Sequence, residues 1–195
     1  YLGAFARGIH VVAANKKPLT IPWEARERLM EAARRSHRFY NYETTVGASL
    51  PVIDTLKNLV RTGDRVRRIE GSFSGTLGFV ANEVMAGHAL SEVVRRAREL
   101  GYTEPNPAED LSGMDVARKA LILARELGMA LSIEDVRVAP LVDLGLPASA
   151  GVDAFFEALQ AADVAFAAYR DRLLAEGKVL RYLARIDPDA PAGTP

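Results

Sequence analysis

With 195 residues, 49% hydrophobic and 26% charged, the chain is long enough to bury a core and unlike a disordered tail. Lys plus Arg and Asp plus Glu number 25 each, so no net field selects nucleic acid or an anionic membrane, and function has to come from a local site. Cysteine is absent, which excludes a disulfide frame, thiolate zinc and a thiol nucleophile. No apolar run reaches the roughly 18 residues needed to cross a bilayer and no signal sequence opens the chain, so the expected setting is cytoplasmic. The first residues read as the end of a helix and the last as the sequel to a strand, as in a fragment whose sheet continues at both ends.

In chain order, Leu2 to Arg7 with Gly8 read as a helix tail and its cap, and the continuous apolar run IHVVAA as a parallel strand buried on both faces. Asn15-Lys16-Lys17-Pro18 follows. Ligands sit at the carboxyl ends of strands in open parallel sheets, so Lys16 is either a site residue or a solvated lysine in a turn. Thr20 is expected to cap a helix to about Ser36, ending in the basic cluster Arg34, Arg35, His37 and Arg38 that complements the helix dipole or stays solvated. His37 and His88 have no partner at metal-ligand spacing, and His10 opens a strand. Phe39 to Tyr42 lead into ETTVGASLP, where Glu43 precedes a glycine turn and then a helix from Pro51 to about Arg61. A carboxylate beside convergent carbonyls suits a hard cation, although an exposed Glu next to a turn explains the pattern equally well.

Arg65 to Ser74 is a second strand candidate, and the small, Gly-rich GSFSGTLGF opens a helix to about Met85. It matches no Walker or dinucleotide fingerprint. Ser91 is expected to cap LSEVVRRAREL, which ends at Gly101. Pro105 and Pro107 then make Tyr102 to Leu111 a stiffened loop bearing Glu104, Glu109 and Asp110. Ser112 begins a capping-box-like start, and Met114, Ala117, Leu121, Ala124 and Leu127 recur as a buried stripe. Asp115 and Lys119 lie four apart on one face, which allows an ordinary ion pair or a site. SIEDV is a short capped segment, Val136 to Val142 is extended, and Leu146 to Gly151 is a linker. A long amphipathic helix from Val152 to Glu176 ends at Gly177, and KVLRYLARI reads as a final strand.

The runs VVAANKK, YETTVGASLPVIDTL, IEGSFSGTL, LGYTEPNPAEDLSGMDVARKALILA and EGKVLRYLARID together resemble homoserine dehydrogenase over nearly the whole chain. The version carried by bifunctional aspartokinase–homoserine dehydrogenases is the most similar. The resemblance implies an α/β protein: the tail of a Rossmann-type nucleotide-binding domain over 1–42, an α+β substrate and dimerisation domain with a mixed sheet covered by helices over 43–187, and a tail over 188–195. It implies reversible reduction of aspartate 4-semialdehyde to homoserine with NADP or NAD, in the pathway to threonine, methionine and isoleucine, by a homodimer or higher homo-oligomer that takes a small-molecule substrate and binds neither nucleic acid nor membrane.

Such a reaction needs a hydride donor above the aldehyde carbon and a proton donor at its oxygen, and a lysine ammonium serves the second role if its pKa is lowered from about 10.4. By resemblance, Lys119 is the acid/base lysine and Lys16 the second active-site lysine. Glu104 is the ligand of the substrate ammonium, with Asp115 beside it and Asp110 in support, and Gly101 and Tyr102 line the same pocket. Glu109, where relatives often carry Asp, is the least secure acid. Glu43 with the carbonyls of Val46, Ala48 and Leu50 resembles a monovalent-cation site, sodium by preference. Asn15 and Lys16 are what the chain holds of the cofactor side, since it has no G-x-G-x-x-G. The polypeptide as written is therefore expected to show negligible NADPH-dependent turnover. Two other readings are a silent binding or dimerisation module on the same fold and a different amino-acid dehydrogenase.

Overall fold

A computed structural model describes residues 1–146 and 150–190, so part of the expected 146–151 linker and of the 188–195 tail lies outside the described residues. The chain divides into two compact units: Tyr1–Phe73 with Ala117–Arg137 and the stretch from Ala184 form the first, and Ser74–Val116 with Val138–Leu183 the second.

In the first unit, helix α1 (Leu2–Ala6) leads to strand β1 (Val11–Val12), a short helix α2 (Lys17–Thr20), helix α3 (Trp23–Arg35) and strand β2 (Tyr40–Asn41). Strands β1 and β2 are parallel, with Val11 opposite Tyr40 and Val12 opposite Asn41. Parallel partners need a crossover, and α3, packed on α1 and α2, supplies it. Thr20 does not cap α3. Its hydroxyl donates to the Lys16 and Lys17 carbonyls inside α2 while Pro22 stands at the N-cap, because the interposed turn ends the first helix before the second begins. A single 3-10 turn, Glu43–Thr45, precedes helix α4 (Val52–Arg61). The unit closes with strand β3 (Ile69–Gly71), antiparallel to the strand Ala184–Ile186 that enters late in the chain. Among the described residues, the expected strands are paired only over these two- and three-residue cores.

The second unit is helical: α5 (Gly75–Met85), α6 (Leu90–Glu99), α7 (Pro107–Leu111) and, after α8, the long α9 (Val152–Ala175). Ser74 caps α5 by accepting the Leu77 N–H at 3.1 Å. Helix α6 packs on both α5 and α9, and Leu77, Val80, Val84, Val93, Val94 and Leu159 are buried there. Ser91 turns out to lie inside α6, whose N-cap is Ala89. Its N–H and hydroxyl both reach Asp163 of α9, at 2.8 and 2.6 Å, so a carboxylate from a neighbouring helix satisfies the free amide that a local cap would have taken. The Pro-stiffened loop is likewise not all loop. Pro107 occupies the first position of α7, where its missing N–H costs no hydrogen bond, and Asn106 caps the turn by accepting the Ala108 N–H.

Helix α8 (Met114–Glu126) starts in the second unit and belongs to the first from Ala117 onward. Ala117, Leu121 and Ala124 of its expected stripe are buried, whereas Met114 is 37% exposed at the helix start. The strand labels are completed by β4 (Ala184–Ile186). Among the described residues no helix is long and apolar enough to cross a membrane.

Candidate active site

Lys119 stands in the middle of α8, half-buried, and its Nζ donates to the Phe73 carbonyl at 2.7 Å. The carbonyl accepts from the ammonium and so orients it within the fold. On the same helical stripe two turns later, Glu126 accepts from the Tyr42 hydroxyl at 2.8 Å and from Arg26 at 2.7 Å. Both ionic side chains are almost closed off from water, at 8% exposure for Arg26 and 7% for Glu126. The Lys57 ammonium lies 4.0 Å from the other Glu126 oxygen and 4.0 Å from the Tyr42 ring centroid. Burial pushes the Lys57 ammonium below its ordinary range, against the pull of Glu126 and Asp54. Burial, together with the Glu126 charge and hydrogen bond, pushes the Tyr42 phenol far above its usual value, so it remains a donor at any physiological pH.

Glu43 directly follows Tyr42 and accepts the Ile53 and Asp54 N–H groups, each at 2.8 Å, thereby holding the free amides of the first turn of α4. The chain between them turns through two successive left-handed residues, Gly47 at φ 83° and Ala48 at φ 52°. Val46 in this turn is buried, while Ala48 and Leu50 are exposed. Among the described residues no three His, Asp or Glu side chains cluster as a metal site, so a cation here would depend on Glu43 and main-chain oxygens. Asn15, exposed three residues beyond β1, accepts the Lys17 N–H at 3.0 Å, and Lys16 is half-buried as the N-cap of α2. Both lie beyond the carboxyl end of a strand in a parallel pair, where nucleotide ligands of α/β sheets bind.

In the second unit the acids lie on the α6–α7 connection. Gly101, at φ 73°, ends α6, and Tyr102 follows with half its surface exposed, its ring edge-on to Phe79 at 5.2 Å and its carbonyl accepting the Thr76 hydroxyl. The Glu104 N–H donates to Asp110 at 2.9 Å, which folds the loop and leaves the Glu104 carboxylate exposed. Burial raises the Asp110 carboxyl above its usual range; the Glu104 amide opposes this, and the Glu104 and Asp115 charges add to it. Asp110 thus feels the charges of both Glu104 and Asp115, an acidic setting suited to a cationic ligand. Glu109 is exposed on α7.

Sequence reasoning missed Arg26, Glu126 and Arg125. Arg125 is 2% exposed and meets no carboxylate within its hydrogen-bond set; its guanidinium donates to the carbonyls of Leu19, Ile21 and Leu131. The one available signal was Glu126 recurring on the Lys119 stripe, a spacing that ordinarily means only a shared face.

The family profile for homoserine dehydrogenase matches residues 51–192, and the chain belongs to that family. It is 44% identical over 194 residues to the chloroplastic bifunctional aspartokinase/homoserine dehydrogenase 1 of Arabidopsis thaliana, which covers 100% of this chain but only 21% of that protein. The chain thus spans about a fifth of the length of that curated relative. A Candida auris protein of unknown function is similar in structure, with a TM-score of 0.86 at 36% identity over 95% of this chain and 55% of that one. A hyperthermophilic archaeal homoserine dehydrogenase in complex with NADPH gives a TM-score of 0.61 at 29% identity, over 70% of this chain and 44% of that one.

Proposed function

We propose that this chain supplies the substrate-handling residues of a homoserine dehydrogenase, which interconverts aspartate 4-semialdehyde and homoserine. The observation that carries this is Lys119: it lies half-buried inside the segment matched by the family, with its ammonium donating to the Phe73 carbonyl. In the reductive direction Lys119 gives its proton to the aldehyde oxygen as the carbon receives a hydride; in reverse its amine takes the hydroxyl proton. The nicotinamide cofactor supplies and accepts that hydride, and the NADPH complex of the archaeal relative supports a dinucleotide as partner. Asn15 and Lys16, beyond the carboxyl end of β1, are this chain's contribution to the cofactor side, with Lys16 adding positive charge.

Homoserine and the semialdehyde are both α-amino acids, whose ammonium calls for carboxylates. Glu104 receives it, with Asp115 and Asp110 in support, and Gly101 and Tyr102 shape the same loop; the exposed Glu104 carboxylate beside a carboxyl with a raised pKa supports this assignment. Glu43 and the carbonyls of Val46, Ala48 and Leu50 are proposed to hold a monovalent cation, a hard ion served by oxygen donors. The left-handed pair at Gly47 and Ala48 supports a tightly wound oxygen-rich turn. The protein is proposed to work as a homodimer. The test joins this chain to a dinucleotide-binding domain and measures homoserine oxidation with NAD and NADP. Lys119→Ala should lower kcat by about a thousandfold with the fold intact. Retained turnover in that variant would point to a different dehydrogenase, and no turnover in the parent to a silent binding module.

A further inference from the structure

The geometry points to Tyr42 and Glu126 as positioning residues that set the register of the Lys119 helix against the Glu43 turn. Lys119 and Glu126 share a stripe of α8, separated by about 10 Å along its axis. One end of that stripe is tied by the Lys119 bond to the Phe73 carbonyl, and the other by the bonds of Glu126 to Tyr42 and Arg26. Tyr42 is covalently followed by Glu43, whose carboxylate grips the first turn of α4 through two amides. Arg26 comes from α3 and Lys57 from α4. Glu126 is therefore the point at which α3, α4 and the residue before the Glu43 turn all bear on the lysine helix.

Two facts make this more than a stabilising ion pair. Glu126, Arg26 and Tyr42 are nearly closed to water, so none can trade its partner for solvent, and the three distances act as fixed struts. The rest of the buried surface of the helix is apolar, with Val116, Ala117, Leu121, Ile122 and Leu123 among it, and Arg125 beside Glu126 binds the Leu19 and Ile21 carbonyls, so the buried polar contacts that fix the helix converge at its Glu126 end. A displacement of α8 by a fraction of a turn would carry the Lys119 ammonium off its proton-transfer line, and a misplacement near 1 Å can cost about a hundredfold in rate.

This rests on the reading of Lys119 as the proton carrier. The test uses the same joined protein with Tyr42→Phe, which removes one hydroxyl and keeps the ring. A Leu29→Ala variant, which empties a buried site of α3, serves as the control for lost stability. At a temperature where all variants are folded, Tyr42→Phe should lower kcat for homoserine oxidation about tenfold with KM within about twofold. It should also raise the solvent deuterium isotope effect on kcat, because proton transfer becomes limiting. Leu29→Ala should lower the melting temperature and change neither. Wild-type kcat and isotope effect in Tyr42→Phe overturn the inference and leave the Lys119 reading standing. A parent without homoserine turnover, or a Lys119→Ala variant that keeps it, overturns that reading and this inference with it.

Discussion

Glu126 in the first unit and Glu104 in the second are both family-segment carboxylates, yet their surroundings are opposite. Glu126 keeps 7% of its side chain exposed and meets an arginine, a phenol and a lysine, whereas Glu104 is exposed and reaches Asp110 only through its own backbone amide. A charge shut away from water has lost its hydration, so removing its partner leaves an uncompensated ion; a charge in water loses little when its neighbour goes. The first unit thus uses charge to hold structure. The second presents charge on a loop whose shape is held by other means.

That contrast can be broken most directly at Glu126. Glu126→Ala should lower the unfolding free energy by about 3 kcal/mol in a denaturant titration, because Arg26 loses its buried carboxylate and keeps only the more exposed Glu27, while the buried Tyr42 hydroxyl loses its acceptor. A loss under about 1 kcal/mol would mean that water already reaches the cluster and that the two regions do not differ. In the protein joined to a dinucleotide-binding domain, Glu104→Gln should do the reverse under the proposed function: kcat/KM for homoserine falls about ten- to hundredfold, the cost of one hydrogen bond to a charged group, while the unfolding midpoint stays put.

Gly113→Ala sharpens the other half of the comparison. Gly113 sits at φ 76°, and an added Cβ would run into the Tyr182 hydroxyl and come within 3.2 Å of Val138 Cγ1. A loss of about 1–2 kcal/mol in the same titration would show the loop's frame to depend on backbone geometry.

The smallest effect concerns Asp110. Its carboxyl is raised in the folded state, first by burial, so its contribution to stability is fully present below the ordinary value of 3.8 and is lost as pH rises through the folded value. Asp110→Asn, which keeps an acceptor for the Glu104 amide, should therefore raise the melting temperature slightly at pH 7. The gain should be about 0.5 kcal/mol or less, since the group is largely solvated, and it should vanish below pH 3.8. A gain that persists in acid would assign the effect to packing instead of charge.

Much of the architecture is local enough to read from the chain. The helices at 52–61, 75–85 and 152–175 agree with their apolar spacing and terminal residues, because periodicity and caps act over one or two turns. Three details went otherwise for one reason. Ser91 lost its capping role to Asp163, seventy-two residues away, Thr20 was separated from α3 by the turn of α2, and Pro107 opened a helix where two prolines suggested only loop. In each case a partner or a phase change outside the local window decided the geometry. Extended runs around residues 69 and 184 shrank to three paired residues each, since strand length depends on what lies alongside.

The sequence by itself determined the family, through the long motif from Leu100 to Ala124, and it put Lys119 and Asp115 on one helical face and the acids on the loop before it. Only the tertiary structure decided what Lys119 rests on and what steadies its helix. Its acceptor, the Phe73 carbonyl, lies forty-six residues away, and the partners of Glu126 are eighty-four and one hundred residues away. No spacing rule reaches that far. Burial made those contacts structural, because a charged or hydroxyl group taken out of water must find its partner wherever the folded chain brings one.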